Sequence, residues 1–343
     1  MNKITVKSVL VLVTLLLYGC SLPRPVNENL WNEKYNNLNI ESLEKFDEIN
    51  VLSLSGGSAN GAWGAGVING LRKSGELKKY NVTTGVSTGA LMATFAFLDD
   101  EKYESKLMKS YTEISVKELI NVRPYTMIIF NNSLSESENL QNIIKNSITN
   151  EIIDEVYIKG QRGYKFYVGT TDLDLGDIRL FDMVEIAGKR EYDKYRKILL
   201  ASASIPIVYP PVFIDGNMNV DGGVCGQLFV PDKLFFLQKK VNVHIIYNGM
   251  LNALGVGVTK NNLKDISFRS LQVLQAKNDI NYISIFEERS KNNENVKFFF
   301  NCVDKNIKLV GFDFTKKELE ELYYGGYKSG LGNTWKNTIR SDK

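Results

Sequence analysis

Twice in succession, a short run of apolar and β-branched residues stops at glycine and passes into a helical pattern. The first is "EINVLSLSGG" followed by "GAWGAGVINGLRKSGEL": Ile49, Val51, Leu52 and Leu54 read as a buried strand, and Ala62 to about Ser74 as a helix. The second is "KKYNVTTG", a strand carrying Val82, Thr83 and Thr84, followed by "ALMATFAFLDDEKYESKLMKSY", which reads as one continuous helix. A strand that feeds a helix through a glycine turn, and does so again at once, is the repeating unit of a parallel sheet covered by helices. This constrains the chain more than any other feature.

The rest of the sequence continues the alternation. "KFYVGTTDLD" and "RLFDMVEIA" read as strands, "REYDKYRKILLASASI" as a helix ending before Pro206, and "NMNVDGG" and "KVNVHIIYN" as strands. "SFRSLQVLQAKNDINYISIFEERSKNNENVKFFF" reads as helix, loop and strand, and "TKKELEELYYGGYKSGL" as a closing helix broken at Gly325-Gly326. The fold class is α/β, a mostly parallel central sheet flanked by helices, with no internal repeat and no domain boundary after residue 48. The net charge of +3 is too small to argue for a nucleic-acid partner.

The N-terminus reads as a leader. "MNKITVK" is basic, Ser8 to Tyr18 is an apolar run too short to span a bilayer, and "GCS" follows. "LYGC" resembles the bacterial lipobox, with an atypical Tyr18. That makes residues 1–19 a lipoprotein signal peptide and Cys20 the acylated N-terminus, a membrane anchor. Ser21, where Asp would retain the chain at the inner membrane of a Gram-negative envelope, favours the outer membrane. Residues 20–47 are polar and Asn/Glu-rich, a tether with room for one short helix. Of the other cysteines, Cys225 and Cys302, the sequence does not say whether they pair, and no Cys/His cluster points to a metal.

The two glycine turns carry the chemistry. "GVSTG" is G-x-S-x-G between a strand and a helix, the setting of a nucleophile elbow that thrusts Ser87 outward at a helix N-terminus. A serine there is also an ordinary N-cap. "LSGGSANGAWGAG" offers several backbone N–H groups to one side, which suits an oxyanion hole. A dinucleotide fingerprint would want an acid about 20 residues on, at the end of the next strand. Here that strand ends in Gly85-Val86-Ser87. The single histidine, His244, lies in an alternating strand and reads as a strand residue rather than a base. The alternative base is a carboxylate, with Asp221 in "NVDGGV" as candidate, although Asp-Gly is equally a tight turn.

Taken in order, these segments resemble the patatin-like phospholipases, specifically their bacterial lipoprotein branch. "LSGGSANGAWGAGV" resembles the family's oxyanion segment, "GVSTGAL" its elbow, and "LLASASIPIVYPPVFIDGNMNVDGGV" its A-S…P-P segment leading to D-G-G. "VGTTDLDLGDIRLFDMVEIA", "HIIYNG" and "ELEELYYGGYKSG" resemble later elements, so the likeness runs from about Glu48 to about Leu331. The resemblance implies a three-layer patatin-like fold over residues 48–343. It implies a Ser–Asp dyad of Ser87 and Asp221 without histidine, and an oxyanion loop of Gly56, Gly57, Ser58 and Gly61. It implies a phospholipid or other acyl-ester lipid as substrate, an acyl-serine intermediate, and neither cofactor nor metal. Ser58 stands where the family has a third glycine, and Asn60 where it has Arg or Lys. Residues from about Tyr103 to Tyr157, with "RPYTMIIF" inside, read either as an apolar cap over the site or as core-packing helices. Two other readings remain open here: an acyltransferase on the same site, and a non-catalytic lipid-binding envelope scaffold.

Overall fold

In β1 (Glu48–Leu54) the side chains alternate between two cores: Ile49 and Val51 join one, Leu52 and Leu54 the other. That is the pattern of a central strand buried on both faces. The structure, a computed structural model, describes residues 38–123, 131–250, 259, 261–311 and 313–337. After β1 come α1 (Gly61–Ser74), β2 (Val82–Val86), α2 (Thr88–Leu98), α3 (Glu104–Thr112) and α4 (Val116–Leu119). Then follow the short β3 (Asn121–Val122) and β4 (Ser135–Glu136), α5 (Glu138–Ser147), α6 (Asn150–Gly160), β5 (Lys165–Asp172) and β6 (Asp177–Asp182). The chain closes with α7 (Met183–Gly188), α8 (Tyr192–Ser202), β7 (Val212–Ile214), β8 (Asn217–Asp221), β9 (Lys240–Tyr247), α9 (Leu263–Asn292), β10 (Val296–Cys302) and α10 (Lys316–Leu331).

The main sheet has eight strands in the order β10-β9-β1-β2-β5-β8-β7, with β6 paired to β5 off that path. From β10 to β5 every pairing is parallel; β6 and β8 run antiparallel to β5. The two cores lie on opposite faces, so the α/β class and the flanking helices are as the sequence reads. One arrangement matters for function. β6 occupies one edge of β5 over Tyr167–Asp172, so the partners opposite it share the other edge. β2 uses that edge as far as Gly169 (opposite Val86), and β8 uses it from Thr170 (opposite Asp221). The two strands run towards each other and end head to head.

The structure departs from the sequence reading in three places. The helix read as continuous after "GVSTG" stops at Leu98: Asp99 turns left-handed (φ 52°) and Asp100 caps a new turn by accepting from the Lys102 N–H at 3.0 Å. Short polar side chains favour such breaks because they satisfy the backbone locally. "RLFDMVEIA" is strand only to Asp182, whose carboxylate accepts from the N–H groups of Val184 (3.0 Å) and Glu185 (3.1 Å) and starts α7. Finally, α10 runs unbroken through Gly325-Gly326.

Those glycines serve packing. Gly66 and Gly70 of α1 face α10, while Gly326 and Gly330 of α10 face α1. A Cβ on Gly66 would run into the Tyr323 carbonyl oxygen, and one on Gly326 into that of Trp63. Small residues four apart on both helices bring the backbones into contact. Gly66→Ala is therefore expected to cost about 1–3 kcal/mol through overpacking, read as a lowered urea midpoint with an unchanged slope.

Leu38 and Leu43, at the end of the stretch read as a tether, are buried in the core beside β1. Cys20 and the leader lie outside the described residues, as do residues 124–130 of "RPYTMIIF". Cys225 and Cys302 are both free thiols. Among the described residues, no helix is long and apolar enough to cross a membrane.

Candidate active site

The head-to-head meeting of β2 and β8 places Ser87 and Asp221 side by side although 134 positions separate them. Ser87 follows β2 with φ 54° and ψ −127°, a conformation unfavourable for a residue with a Cβ, at a cost of roughly 1–3 kcal/mol. Its neighbours hold it there. The Ser202 hydroxyl accepts from the Ser87 N–H at 2.9 Å and itself donates to the Gly169 carbonyl at 2.7 Å. The Ser87 carbonyl accepts from Ala90 and Leu91 and so opens α2. The hydroxyl is left to point at Asp221, donating to its Oδ2 at 2.6 Å.

Asp221 closes β8. Its own N–H donates to the Ser204 carbonyl at 2.9 Å, and its Oδ1 accepts from the Gly223 N–H at 2.7 Å. The residue is 3% exposed. Burial pushes its carboxyl up to about 7, although the hydrogen bonds from Ser87 and Gly223 favour the charged form and pull the other way. A carboxylate that holds a proton near neutral pH can both take and return one.

The glycine loop lies between β1 and α1. Gly57 has φ 142°, and a Cβ there would sit 2.5 Å from the Asn248 carbonyl oxygen. Ser58, in the third glycine's place, adopts the left-handed region at φ 53°, which a residue with a Cβ tolerates at modest cost. Gly56 commits its N–H to the Gln227 carbonyl (3.0 Å), and Gly61 donates to Ala59 and Ser58 in the turn that opens α1. The N–H groups of Gly57 and Ser58, and that of Thr88 at the head of α2, have no acceptor among the described residues. Asn60, where the family has a cation, is tied to Val310: its Nδ2 donates to that carbonyl at 3.0 Å, and its Oδ1 accepts from that N–H at 2.8 Å.

Asn248 was not singled out in the sequence, yet it fixes the loop. Its Nδ2 donates to the Ser55 carbonyl, its N–H to the Ser55 hydroxyl (both 2.8 Å), and its Oδ1 accepts from the Gly64 N–H at 2.9 Å. It thus clasps both ends of the turn. The only signal was "HIIYNG", read for its strand alone. His244 sits elsewhere: its ring stacks on Phe299 (centroids 4.6 Å apart), with Trp335 and Tyr80 edge-on. Burial drives its imidazole down to about 3, leaving it neutral.

Two cavities flank Ser87. One, about 130 Å³, is apolar and runs past Leu91, Phe95 and Leu119 to Leu140 and Ile144. Described residues between Tyr103 and Tyr157, Tyr111 to Leu119 and Leu140 to Ile148 among them, thus border the site as a cap would, while Leu140, Ile144 and Ile148 also pack into the core. The other, about 210 Å³, is mixed: Asp221, Asn60, Gln227, Gln272 and Gln275 line it together with Pro206, Val224 and Leu271. Ser58, Ser87 and Ile205 line both.

Residues 52–232, more than half of the chain, match the family model of the patatin-like phospholipases. The chain belongs to that family. Among solved structures the chain is similar to VipD from Legionella pneumophila, with 12% identity and a TM-score of 0.45, covering 84% of this chain and 66% of that one. It is also similar to the type III effector protein ExoU, with 11% identity and a TM-score of 0.37, covering 83% and 52%. The chain spans less than two thirds of either protein. No curated protein matches it.

Proposed function

We propose that this patatin-like protein is a serine lipid acyl hydrolase of the carboxylic ester hydrolase type, working through Ser87 and Asp221. Asp221 takes the proton from the Ser87 hydroxyl as the oxygen attacks an ester carbonyl. The N–H groups of Gly57, Ser58 and Thr88 receive the negative charge of the tetrahedral intermediate. As that intermediate collapses, the alcohol leaves with the proton held by Asp221, and the acyl group stays on Ser87. Water then attacks the acyl-serine with Asp221 again as base, releasing the fatty acid and restoring the enzyme. The apolar cavity takes the acyl chain and the one beside Asp221 the leaving group. The proposal includes attachment to a bacterial envelope membrane through Cys20, which rests on the leader sequence alone.

The observation that carries this reading is the 2.6 Å Ser87–Asp221 hydrogen bond at the junction of the two cavities. A fluorophosphonate probe tests it, because only an activated serine is phosphonylated at a useful rate. Digestion and mass spectrometry should find the adduct on the peptide containing Ser87, and none on Ser87→Ala. A folded protein that takes no label would point to the scaffold reading instead.

A further inference from the structure

Besides Asp221, the buried carboxylates among the described residues are Asp172 and Asp279. Asp172 serves its own turn, accepting from the N–H groups of Asp174 (3.0 Å) and Leu175 (3.2 Å) and from Asn217 Nδ2 (2.6 Å). Asp279 has no such local task. It lies on α9, 3% exposed, and reaches two segments distant in sequence. Its Oδ2 accepts from the Tyr247 hydroxyl at 2.6 Å, and its Oδ1 from the Gln227 N–H at 3.4 Å. Both partners are neutral. Burial pushes the carboxyl up to about 6, against the pull of those two hydrogen bonds.

The two partners flank the glycine loop. Gln227 gives its carbonyl to the Gly56 N–H at 3.0 Å. Tyr247 ends β9 and precedes Asn248, which clasps Ser55 and Gly64. The Asn248 backbone also walls Gly57, where an added Cβ would lie 2.5 Å from the Asn248 carbonyl oxygen. Asp279 therefore ties both walls of the loop to one helix. That helix is itself seated on the sheet, with Phe286 stacked on Phe298 (centroids 4.7 Å apart). Asp279 lines neither cavity, so its reach to the chemistry runs through the loop. Oxyanion donors work only when held at hydrogen-bond distance from where the charge forms, and a displacement of about 1 Å can cost about a hundredfold.

Resting on the hydrolase reading above, we propose that Asp279 is a positioning residue: by holding Gln227 and Tyr247 it fixes the loop so that the Gly57 and Ser58 N–H groups meet the oxyanion. It touches neither substrate nor Ser87. Its effect appears as charge develops on the ester oxygen, because the ground-state carbonyl asks less of those donors. Loss of Asp279 then lowers kcat and leaves KM nearly unchanged.

The test uses the full chain in nonionic detergent at about pH 8, where Asp221 and Asp279 are both mostly ionised. Wild type, Ser87→Ala, Asp279→Leu, Asp279→Asn and Tyr247→Phe are compared on a p-nitrophenyl ester. Asp279→Leu should lower kcat by about ten- to a hundredfold, with KM within about twofold of wild type. Asp279→Asn can still accept one of the two hydrogen bonds and should lose less, as should Tyr247→Phe. Binding of an alkyl trifluoromethyl ketone gives a second readout. Ser87 Oγ adds to its carbonyl carbon, the hydroxyl proton passes to Asp221, and the carbonyl oxygen becomes the oxyanion that the loop receives. Its affinity should weaken across the variants in proportion to kcat/KM. Circular dichroism and the urea midpoint check folding; should Asp279→Leu not fold, the other two variants carry the comparison. Suppose cleavage is Ser87-dependent, but kcat stays within about twofold in every folded variant, or KM rises instead, or kcat falls while the ketone binds as tightly as to wild type. The hydrolase reading then stands and this inference fails. If wild type cleaves no ester and takes no fluorophosphonate label, both fall together.

Discussion

Ser87→Ala is expected to lower ester hydrolysis by roughly a thousand- to a million-fold while the protein stays folded. The change deletes the only atom that forms the acyl bond, so the covalent route closes and what remains is whatever the loop N–H groups do for water attack. Folding should survive. Alanine meets the same backbone strain at φ 54°, and the Ser87 N–H keeps its bond to Ser202. Circular dichroism and the urea midpoint check that the loss is chemical. A rate that falls only a few-fold would mean that another group attacks the ester.

Asp221→Asn should cost nearly as much activity, but with the opposite effect on stability at alkaline pH. Asparagine can still accept from the Gly223 N–H and can donate to Ser87 Oγ, so it fills the site without being able to take a proton. In the wild type, burial raises the carboxyl from its ordinary 3.8 to about 7. Between those values the folded protein holds a proton that the unfolded chain has released, so stability falls as pH rises through that window. Above about 7 the full cost remains, on the order of 4 kcal/mol. Asp221→Asn removes this cost, so its Tm should exceed that of wild type by several degrees near pH 8, with the gap closing by about pH 4. The wild-type rate should run the other way, climbing through about pH 7 as the base form appears and then levelling. A Tm gap that is the same at both pH values would show that Asp221 is not the buried, proton-holding carboxyl the geometry requires.

The elements that position the nucleophile were legible because their signals are local. Alternation in β1, glycines at the entry to α1, and the strand–Gly–Ser–Gly–helix of β2 and α2 are each written within a dozen residues. Ser202, Gln227 and Asn248 were not legible in the same way. Each acts through one or two hydrogen bonds to backbone far along the chain, and nothing in "LLASAS", "GQL" or "YNG" says where those partners will be. Nor does any short window show that β6 takes one edge of β5 and so forces β2 and β8 onto the other. The two misread helices failed for a related reason. Asp99 ended a run that propensity alone would continue, while Gly325-Gly326 looked like a break because what they press against lies outside their own helix, the Trp63 backbone for Gly326 and the Ile307 and Trp63 side chains for Gly325.

The same long reach governs when the site exists during synthesis. Ser87 leaves the ribosome well before its base, and the loop beside it waits longer still, for an asparagine that reaches back 193 positions to Ser55. Contacts so distant in sequence form late and slowly, after the entropy of closing the intervening chain has been overcome. No truncated product ending before Asp221 carries a base for the serine, whatever else it folds. On the proposed function, a chain built in this order is inert while nascent and gains its activity only once Asp221 and Asn248 have both been made.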